Sequence, residues 1–440
     1  MKRLLTLLLS LIIVFSCSIG TAFAAPSGEP DIEATTAILM DAHSGEILWE
    51  KHSGVQMAPA SMTKMMTALL TVENLDMDTV VKIDKETAQT GGNNIAMTVG
   101  EKFTVEQLLK AMLVTSANDC AVALGKEISG SIDKFSKKMN KRAKQLGCTD
   151  TNFKNPNGLD NPKHRSTAHD MACIARAVME NETLREIVCM TEYKVPKTNK
   201  NGARQLYQTN RLLWDKNRIV YVNGEAEHPY YKYAIGVKTG YTDVAQGCLA
   251  SCANKKGTEL IAVVMHSSDL GRFGDSKAVL EYGFDNFRTY DFYSPGENVG
   301  EIKVKGSKHG KTPCEAAYYV SCNLSDGESE SEYTVKTEWV DKVVAPCEAG
   351  TKVGELKVYK GDELINTTDV VTSEAAEEGV WSFIYNGHVA HPVQLALICI
   401  ALLILILFVL VLILRARNRR RRKLRRQARA RQIAEERRNK

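Results

Sequence analysis

The 440-residue chain lacks any Cys/His cluster with the spacing of a zinc site, although it holds 11 cysteines. No metal and no cofactor is implied. It lacks an internal repeat, which excludes solenoids and propellers. The body also lacks the basic excess of a nucleic-acid binder. Of the formal net charge of +5, residues 415–440 carry +12 (14 Lys and Arg against Glu435 and Glu436), Lys2 and Arg3 carry +2, and the remainder carries −9. A mildly acidic body with a basic tail argues against nucleic acid as its partner. The cysteines do not read as a disulfide framework. Cys17 and Cys399 fall in apolar terminal segments, and nine, an odd number, remain at irregular spacing. Cys248 and Cys252 share one face of an expected strand but stand too far apart to bond easily. Most read as small buried residues. With 44% hydrophobic and 25% charged residues, wholesale disorder is excluded, and the length suits about three domains of ~150 residues.

The two ends indicate where the body resides. Lys2 and Arg3 precede an apolar run over residues 4–15, and Ala22-Phe23-Ala24 offers a small-x-small cleavage pattern, so residues 1–24 read as a signal peptide. An uncleaved anchor is the alternative, and a lipoprotein site at Cys17 ranks below it because Phe15 is bulky. Residues 393–414 carry no charge and are long enough to cross ~30 Å of hydrocarbon as a helix. The basic residues 415–440 then act as a stop-transfer signal and an expected cytoplasmic tail; an RNA-binding arm is the rival reading of that tail. The expectation is a single-pass cell-membrane protein with its body outside.

Between the ends, residues 25–288 mix helix and strand patterns. Residues 35–40 and 46–50 read as a hairpin around a turn at 41–45. Pro59-Ala60-Ser61 opens an apolar helical run to Val72. Thr104-Val105-Glu106-Gln107 is a capping-box start for a helix through Leu113, and Ser131 starts another that stops at Gly147. Strands are expected at 248–252 and 260–266, then a helix from about Asp275 to Phe287. Residues 289–386 alternate apolar and polar, as in Ile302-Lys303-Val304-Lys305, and read as a small all-β module with no plausible nucleophile–base pair.

Three short motifs carry the chemistry. Ser61-Met62-Thr63-Lys64 puts a hydroxyl and an amine on one helical face. Serine needs a neighbouring base to become nucleophilic, and lysine serves as one only if burial or nearby cations lower its pKa. Ser116-Ala117-Asn118 presents a second hydroxyl and a carboxamide from a loop; helix capping by Ser116 or Asn118 is the plainer alternative. Lys238-Thr239-Gly240 follows Tyr233-Ala234-Ile235-Gly236-Val237, so that a strand ending there would aim Lys238 and Thr239 into a cleft, with Gly240 leaving room for a substrate backbone. Each motif alone is weak. Their joint occurrence, in this order, in an exported chain is not.

Together S-x-x-K, S-x-N and K-T-G resemble the signature of penicillin-recognising serine enzymes. The flanks, Ala58 to Thr67, Ser116-Ala117-Asn118-Asp119, Asn155-Pro156-Asn157-Gly158-Leu159-Asp160 and Gly236 to Thr242, look like those of serine-type D-alanyl-D-alanine carboxypeptidases, the low-molecular-mass penicillin-binding proteins of peptidase family S11. The resemblance implies an α/β (α+β) penicillin-binding, β-lactamase-like transpeptidase fold over residues 25–288. It further implies a C-terminal all-β domain; the transmembrane helix over 393–414 is read from the sequence itself. It implies that Ser61 is acylated, Lys64 is its base and Ser116 relays protons. Asn118 would hold the substrate amide, Lys238 would supply positive potential, and Thr239 would bind the terminal carboxylate. Gly240 would lie beside the substrate, the N–H groups of Ser61 and Tyr241 would form the oxyanion hole, and Arg272 would help hold the carboxylate. The implied partners are peptidoglycan stem peptides ending in D-Ala-D-Ala and β-lactam antibiotics.

The family commonly attaches through an amphipathic helix, whereas residues 393–414 have no polar face and should span the bilayer. Two rival functions remain. A class A-like β-lactamase would usually have aspartate where Ala117 stands and an E-x-x-L-N segment, absent between Leu159 and Lys238. The other is a non-catalytic peptidoglycan-binding membrane anchor.

Overall fold

A computed structural model of the chain describes residues 28–325, 327–379, 382 and 392–438. The expected signal segment, residues 1–24, lies outside the described residues. The described residues group into two compact units. One comprises residues up to Tyr293 with Tyr319–Lys336 and Lys357–Thr367; the other comprises Ser294–Tyr318, Thr337–Leu356 and residues from Thr368 onward.

The first unit is built on a five-stranded antiparallel sheet. Its strands are β1 (Thr36–Asp41), β2 (Ile47–Lys51), β3 (Ala234–Thr242), β4 (Gln246–Lys255) and β5 (Thr258–Ser267), in the order β2-β1-β5-β4-β3. β1 and β2 form the expected hairpin, and β1 lies directly against β5. Side chains alternate between the two faces of a strand, and both faces are covered. Ile38, Met40, Ile261, Val263 and Met265 belong to one apolar cluster, and Ala37, Leu39, Leu260, Ala262 and Val264 to the other. A strand buried on both faces reads as a continuous apolar run, which is how 260–265 reads.

The first cluster is completed by helices α1 (Lys64–Asn74), α2 (Val105–Val114), α3 (Asn118–Ser129), α4 (Ile132–Gln145) and α5 (Ala168–Glu180). α1 is buried from Lys64 to Thr71, as an all-round apolar helix must be. α2 starts on the expected capping box, with Thr104 accepting from the Gln107 N–H and the Gln107 side chain closing back. Ser131 caps α4. The opposite face is covered by α6 (Gly271–Asn286), whose Phe273, Ala278, Val279 and Leu280 are buried.

α6 begins four residues earlier than its sequence suggests. Gly271 and Gly274 look like breakers, but both lie at close approaches, to backbone at Gly274 and to side-chain oxygens at Gly271. A Cβ at Gly274 would stand 2.2 Å from the Tyr221 carbonyl oxygen, and one at Gly271 2.4 Å from Ser268 Oγ. β3 likewise continues past Gly240 to Thr242, because the register with β4 runs on through Gly240–Cys248 and Thr242–Gln246.

From residue 287 to 379 the described residues form strands and one 3-10 turn, Glu330–Glu332, in agreement with the expected all-β module. Phe287–Tyr293 pairs antiparallel with Val320–Ser325, and Asn298–Lys305 with Lys311–Ala316. The expected span lies in one helix, α7 (Pro392–Arg438), which runs on through the basic residues. Its apolar stretch is long enough to cross a membrane and is not buried in protein. The described cysteines are all free, and Cys120, Cys148, Cys248, Cys252, Cys314 and Cys322 are buried.

Candidate active site

Ser61 lies in a 3-10 turn, Ala60–Thr63, that leads directly into α1, of which Lys64 is the first residue. In a 3-10 helix positions i and i+3 eclipse, and Lys64 Nζ stands 2.7 Å from Ser61 Oγ. The same Nζ is 2.7 Å from Asn118 Oδ1 and 2.7 Å from the Asn157 carbonyl oxygen. Lys64 has no solvent-exposed surface. Burial, and next the Lys238 charge, push its pKa well below that of an ordinary lysine. The start of α1 adds partial positive charge in the same sense.

Asn118 opens α3, but its side chain does not cap it; the N-cap residue is Ala117, with no side-chain cap bond. The carboxamide bonds Lys64 through Oδ1 and the Gly91 carbonyl through one Nδ2–H, at 2.9 Å, leaving a second lone pair and a second N–H. The plain capping alternative is therefore not realised at Asn118. Ser116 is buried two residues earlier, at φ +63°. Ala60, beside Ser61, also has a positive φ of +45°. Non-glycine residues in this region cost on the order of 1 kcal/mol or more, and here they flank the two hydroxyls.

The Asn155–Asp160 string, noted only as a flank, supplies a wall. Thr67 Oγ1 donates to the Pro156 carbonyl at 2.6 Å, and the Asn155 side chain accepts the Gly158 N–H at 2.7 Å. Gly158, at φ +85°, packs so tightly that a Cβ would lie 1.8 Å from the Ala60 carbonyl oxygen. At the far end of the string Asp160 accepts from Thr242 Oγ1 at 2.7 Å. Asn157 was not singled out, because it works through a backbone carbonyl that any residue possesses. The glycine after it is the only local signal.

β3, the edge strand, forms the opposite side. A Cβ on Gly240 would meet Pro59 O at 3.0 Å and Ser61 N at 3.2 Å, so β3 packs closely on the Ser61 turn there, and any side chain would need the two to shift apart by a few tenths of an ångström. Lys238 is buried and donates to Thr239 O at 3.0 Å. Burial, followed by the Arg272 charge, brings its pKa down to about 7. Thr239 Oγ1 is 2.7 Å from Thr209 Oγ1, a residue outside every motif. Arg272, also buried, donates to Gly240 O at 3.1 Å and pairs with Asp269 at 2.7 Å. Tyr241 is 46% exposed. Ser61, Lys64 and Asn118 thus form one hydrogen-bonded group with Asn157. Lys238, Thr239, Gly240 and Arg272 form the adjoining strand side. Among the described residues no group of three or more His, Cys, Asp or Glu is arranged to hold a metal ion.

Known proteins share this architecture. Residues 23–269 match the family model of D-alanyl-D-alanine carboxypeptidase, peptidase S11, and residues 287–378 match that of the penicillin-binding protein 5 C-terminal domain. The D-alanyl-D-alanine carboxypeptidase DacF of Bacillus subtilis is 34% identical over 384 residues, covering 85% of this chain and 94% of that one. DacA of Haemophilus influenzae is 30% identical, covering 81% and 89%. Among solved structures, penicillin-binding protein 5 of H. influenzae superposes with a TM-score of 0.58 at 27% identity, over 80% of this chain and 99% of that one. With the serine–lysine turn, the carboxamide loop and the K-T-G edge strand assembled around one point, and with relatives matched along nearly their whole length, the chain belongs to the D-alanyl-D-alanine carboxypeptidase family, peptidase S11.

Proposed function

We propose that the protein removes the terminal D-alanine from peptidoglycan stem peptides ending in D-Ala-D-Ala, through an acyl-enzyme on Ser61. The observation that carries this reading is the 2.7 Å approach of a buried, pKa-lowered Lys64 amine to Ser61 Oγ, since a neutral amine at that distance is the base a serine nucleophile needs. Ser61 Oγ attacks the carbonyl carbon between the two D-alanines, and its proton passes to Lys64 Nζ. The C–N bond then breaks, the departing amine takes a proton relayed by Ser116, and free D-alanine leaves. Water hydrolyses the ester, restoring the Ser61 hydroxyl and releasing the shortened peptide. The N–H groups of Ser61 and Tyr241 bind the oxyanion, each such donor being worth ~3 kcal/mol. Asn118 holds the substrate amide, and Lys238, Thr239 and Arg272 hold the terminal carboxylate. Penicillins acylate the same serine.

In this reading α7 anchors the protein in a single pass, with the catalytic body outside the cell membrane and residues 415–440 in the cytoplasm, as the uncharged run and the +12 tail favour. The test is release of D-alanine from a pentapeptide ending in D-Ala-D-Ala, together with labelling by a fluorescent penicillin. Ser61→Ala should abolish both. Labelling that survives in a folded Ser61→Ala protein would remove Ser61 from the role.

A further inference from the structure

Thr239 Oγ1 has a partner that none of the three motifs contains. Thr209 Oγ1 lies 2.7 Å away, and Gln208 decides which of the two hydroxyls donates. Gln208 Nε2 donates to the carbonyl oxygens of Val188 at 3.4 Å and Met190 at 3.0 Å, which leaves Oε1 as an acceptor. Oε1 already receives the backbone N–H of Thr209 at 2.9 Å and that of Asn210 at 3.2 Å. Its two lone pairs are thereby occupied. Thr209 Oγ1 stands 3.5 Å from it, too long to compete with Thr239. The Thr209 proton therefore points at Thr239 Oγ1. Lys238 Nζ approaches the same oxygen from 3.4 Å. A hydroxyl has two lone pairs and one proton. With one acceptor direction of Thr239 filled by Thr209 at 2.7 Å, and Lys238 Nζ near the other but at the outer edge of hydrogen-bond reach, the Thr239 O–H is favoured to donate outward.

We infer that Thr209 is a positioning residue for the substrate's terminal carboxylate, fixing the Thr239 hydroxyl so that it donates toward the cleft. The inference rests on the reading of Thr239 as a carboxylate-binding group. Without the Thr209 hydroxyl, Thr239 is free to rotate and turn a lone pair toward the anion. The Thr209 N–H also reaches the Val114 carbonyl at 3.2 Å, at the last residue of α2 and two residues before Ser116. Its position is therefore set by the scaffold and does not depend on substrate.

The test compares Thr209→Val, which keeps the shape and removes the hydroxyl, with Thr209→Ser, which keeps the hydroxyl, in the full-length protein in detergent. D-alanine release from a peptide ending in D-Ala-D-Ala is measured alongside Thr239→Val and the double substitution. Thr209→Val should raise KM about fivefold with kcat within about twofold, the worth of one neutral hydrogen bond. Thr209→Ser should restore KM, and the double variant should be no worse than Thr239→Val alone, because both act through one hydroxyl. If Thr209→Val is recovered unfolded, Thr209→Ala carries the same comparison. A raised KM in Thr239→Val with Thr209→Val unchanged would overturn the inference while leaving the carboxylate reading standing. So would a fall in kcat alone, or additive losses in the double variant. An unchanged KM in Thr239→Val would remove the carboxylate reading itself, and the inference with it.

Discussion

Lys64 Nζ meets Asn118 Oδ1 at 2.7 Å across 54 residues of chain, and in the proposed mechanism this contact orients the base. A neutral amine has two N–H bonds and one lone pair. The Asn118 and Asn157 oxygens are pure acceptors, and both lie 2.7 Å from Nζ. They take the two N–H bonds, so the lone pair is left for the third neighbour, the Ser61 hydroxyl. Deprotonated Lys64 would satisfy every partner and face the Ser61 proton that the proposed mechanism assigns to it.

Lys64→Arg tests this directly. The guanidinium keeps the positive charge but cannot shed its proton at working pH. Acylation by a penicillin should fall by about 10²- to 10⁴-fold, the range supplied by a general base, and match Lys64→Ala. Stopped-flow or gel-based measurement of the acylation rate decides it. A rate within threefold of wild type would make Lys64 a source of charge only.

The pH profile should carry both lysines, with opposite signs. Lys64 is depressed by burial and by the Lys238 charge, and only its neutral form works, so activity rises as the pH climbs through its pKa. Lys238, depressed to about 7, binds a carboxylate only while protonated, so binding weakens as the pH rises through about 7. The kcat/KM profile of D-alanine release should therefore be a bell whose apparent pKa values belong to the coupled pair. The alkaline limb should appear mainly in KM. Lys238→Arg, which stays charged, should abolish that limb and keep the acid one. An alkaline limb that persists unchanged in Lys238→Arg would assign it to another group.

Features that depend on local chemistry were legible in advance. The Thr104–Gln107 capping box, the Ser131 cap and the Ser61–Lys64 pairing all follow from residues within four positions of one another, and the hairpin from the turn residues between its two strands. What stayed hidden was set by tertiary contacts. Gly271 and Gly274 look like helix breakers until the approach of Ser268 and Tyr221 is known. β3 appears to stop at Gly240 until its register with β4 is seen. Asn157 contributes a carbonyl, and Thr209 is joined to Thr239 across 30 residues, so neither carries a signature in the side-chain pattern.

Gly158→Ala should separate packing from ordinary glycine preference. Its left-handed φ of +85° alone would cost about 1 kcal/mol. Its Cβ would also lie 1.8 Å from the Ala60 carbonyl oxygen, which moves only if the Ser61 turn moves. The expected outcome is a penalty above about 3 kcal/mol in denaturant unfolding, with loss of penicillin labelling. Gly147, at φ +82° with nothing within 4 Å of its notional Cβ, provides the control. Gly147→Ala should cost about 1 kcal/mol and label normally. Equal behaviour of the two variants would mean that the contact at Gly158 does not hold the turn in place.

The membrane prediction concerns α7 alone. Residues 393–414 are uncharged and, at 1.5 Å per residue, about 33 Å long, matching a hydrocarbon core of ~30 Å. Each Lys or Arg costs ~3 kcal/mol at the centre of a span, so the inserted part must end before Arg415 even though the helix continues to Arg438. An interfacial anchor would need charges recurring along one face of the 393–414 stretch, and there are none. High-salt and alkaline washing of membranes should therefore leave the full-length protein bound, and a chain ending at residue 385 should be released as a soluble, penicillin-binding body. In spheroplasts, external protease should digest the body while an epitope placed on residues 415–440 survives. Release of the full-length chain by the wash would replace the span with a surface anchor. Loss of the tail epitope while the membrane stays sealed would put that tail outside, against the orientation that 14 basic residues favour.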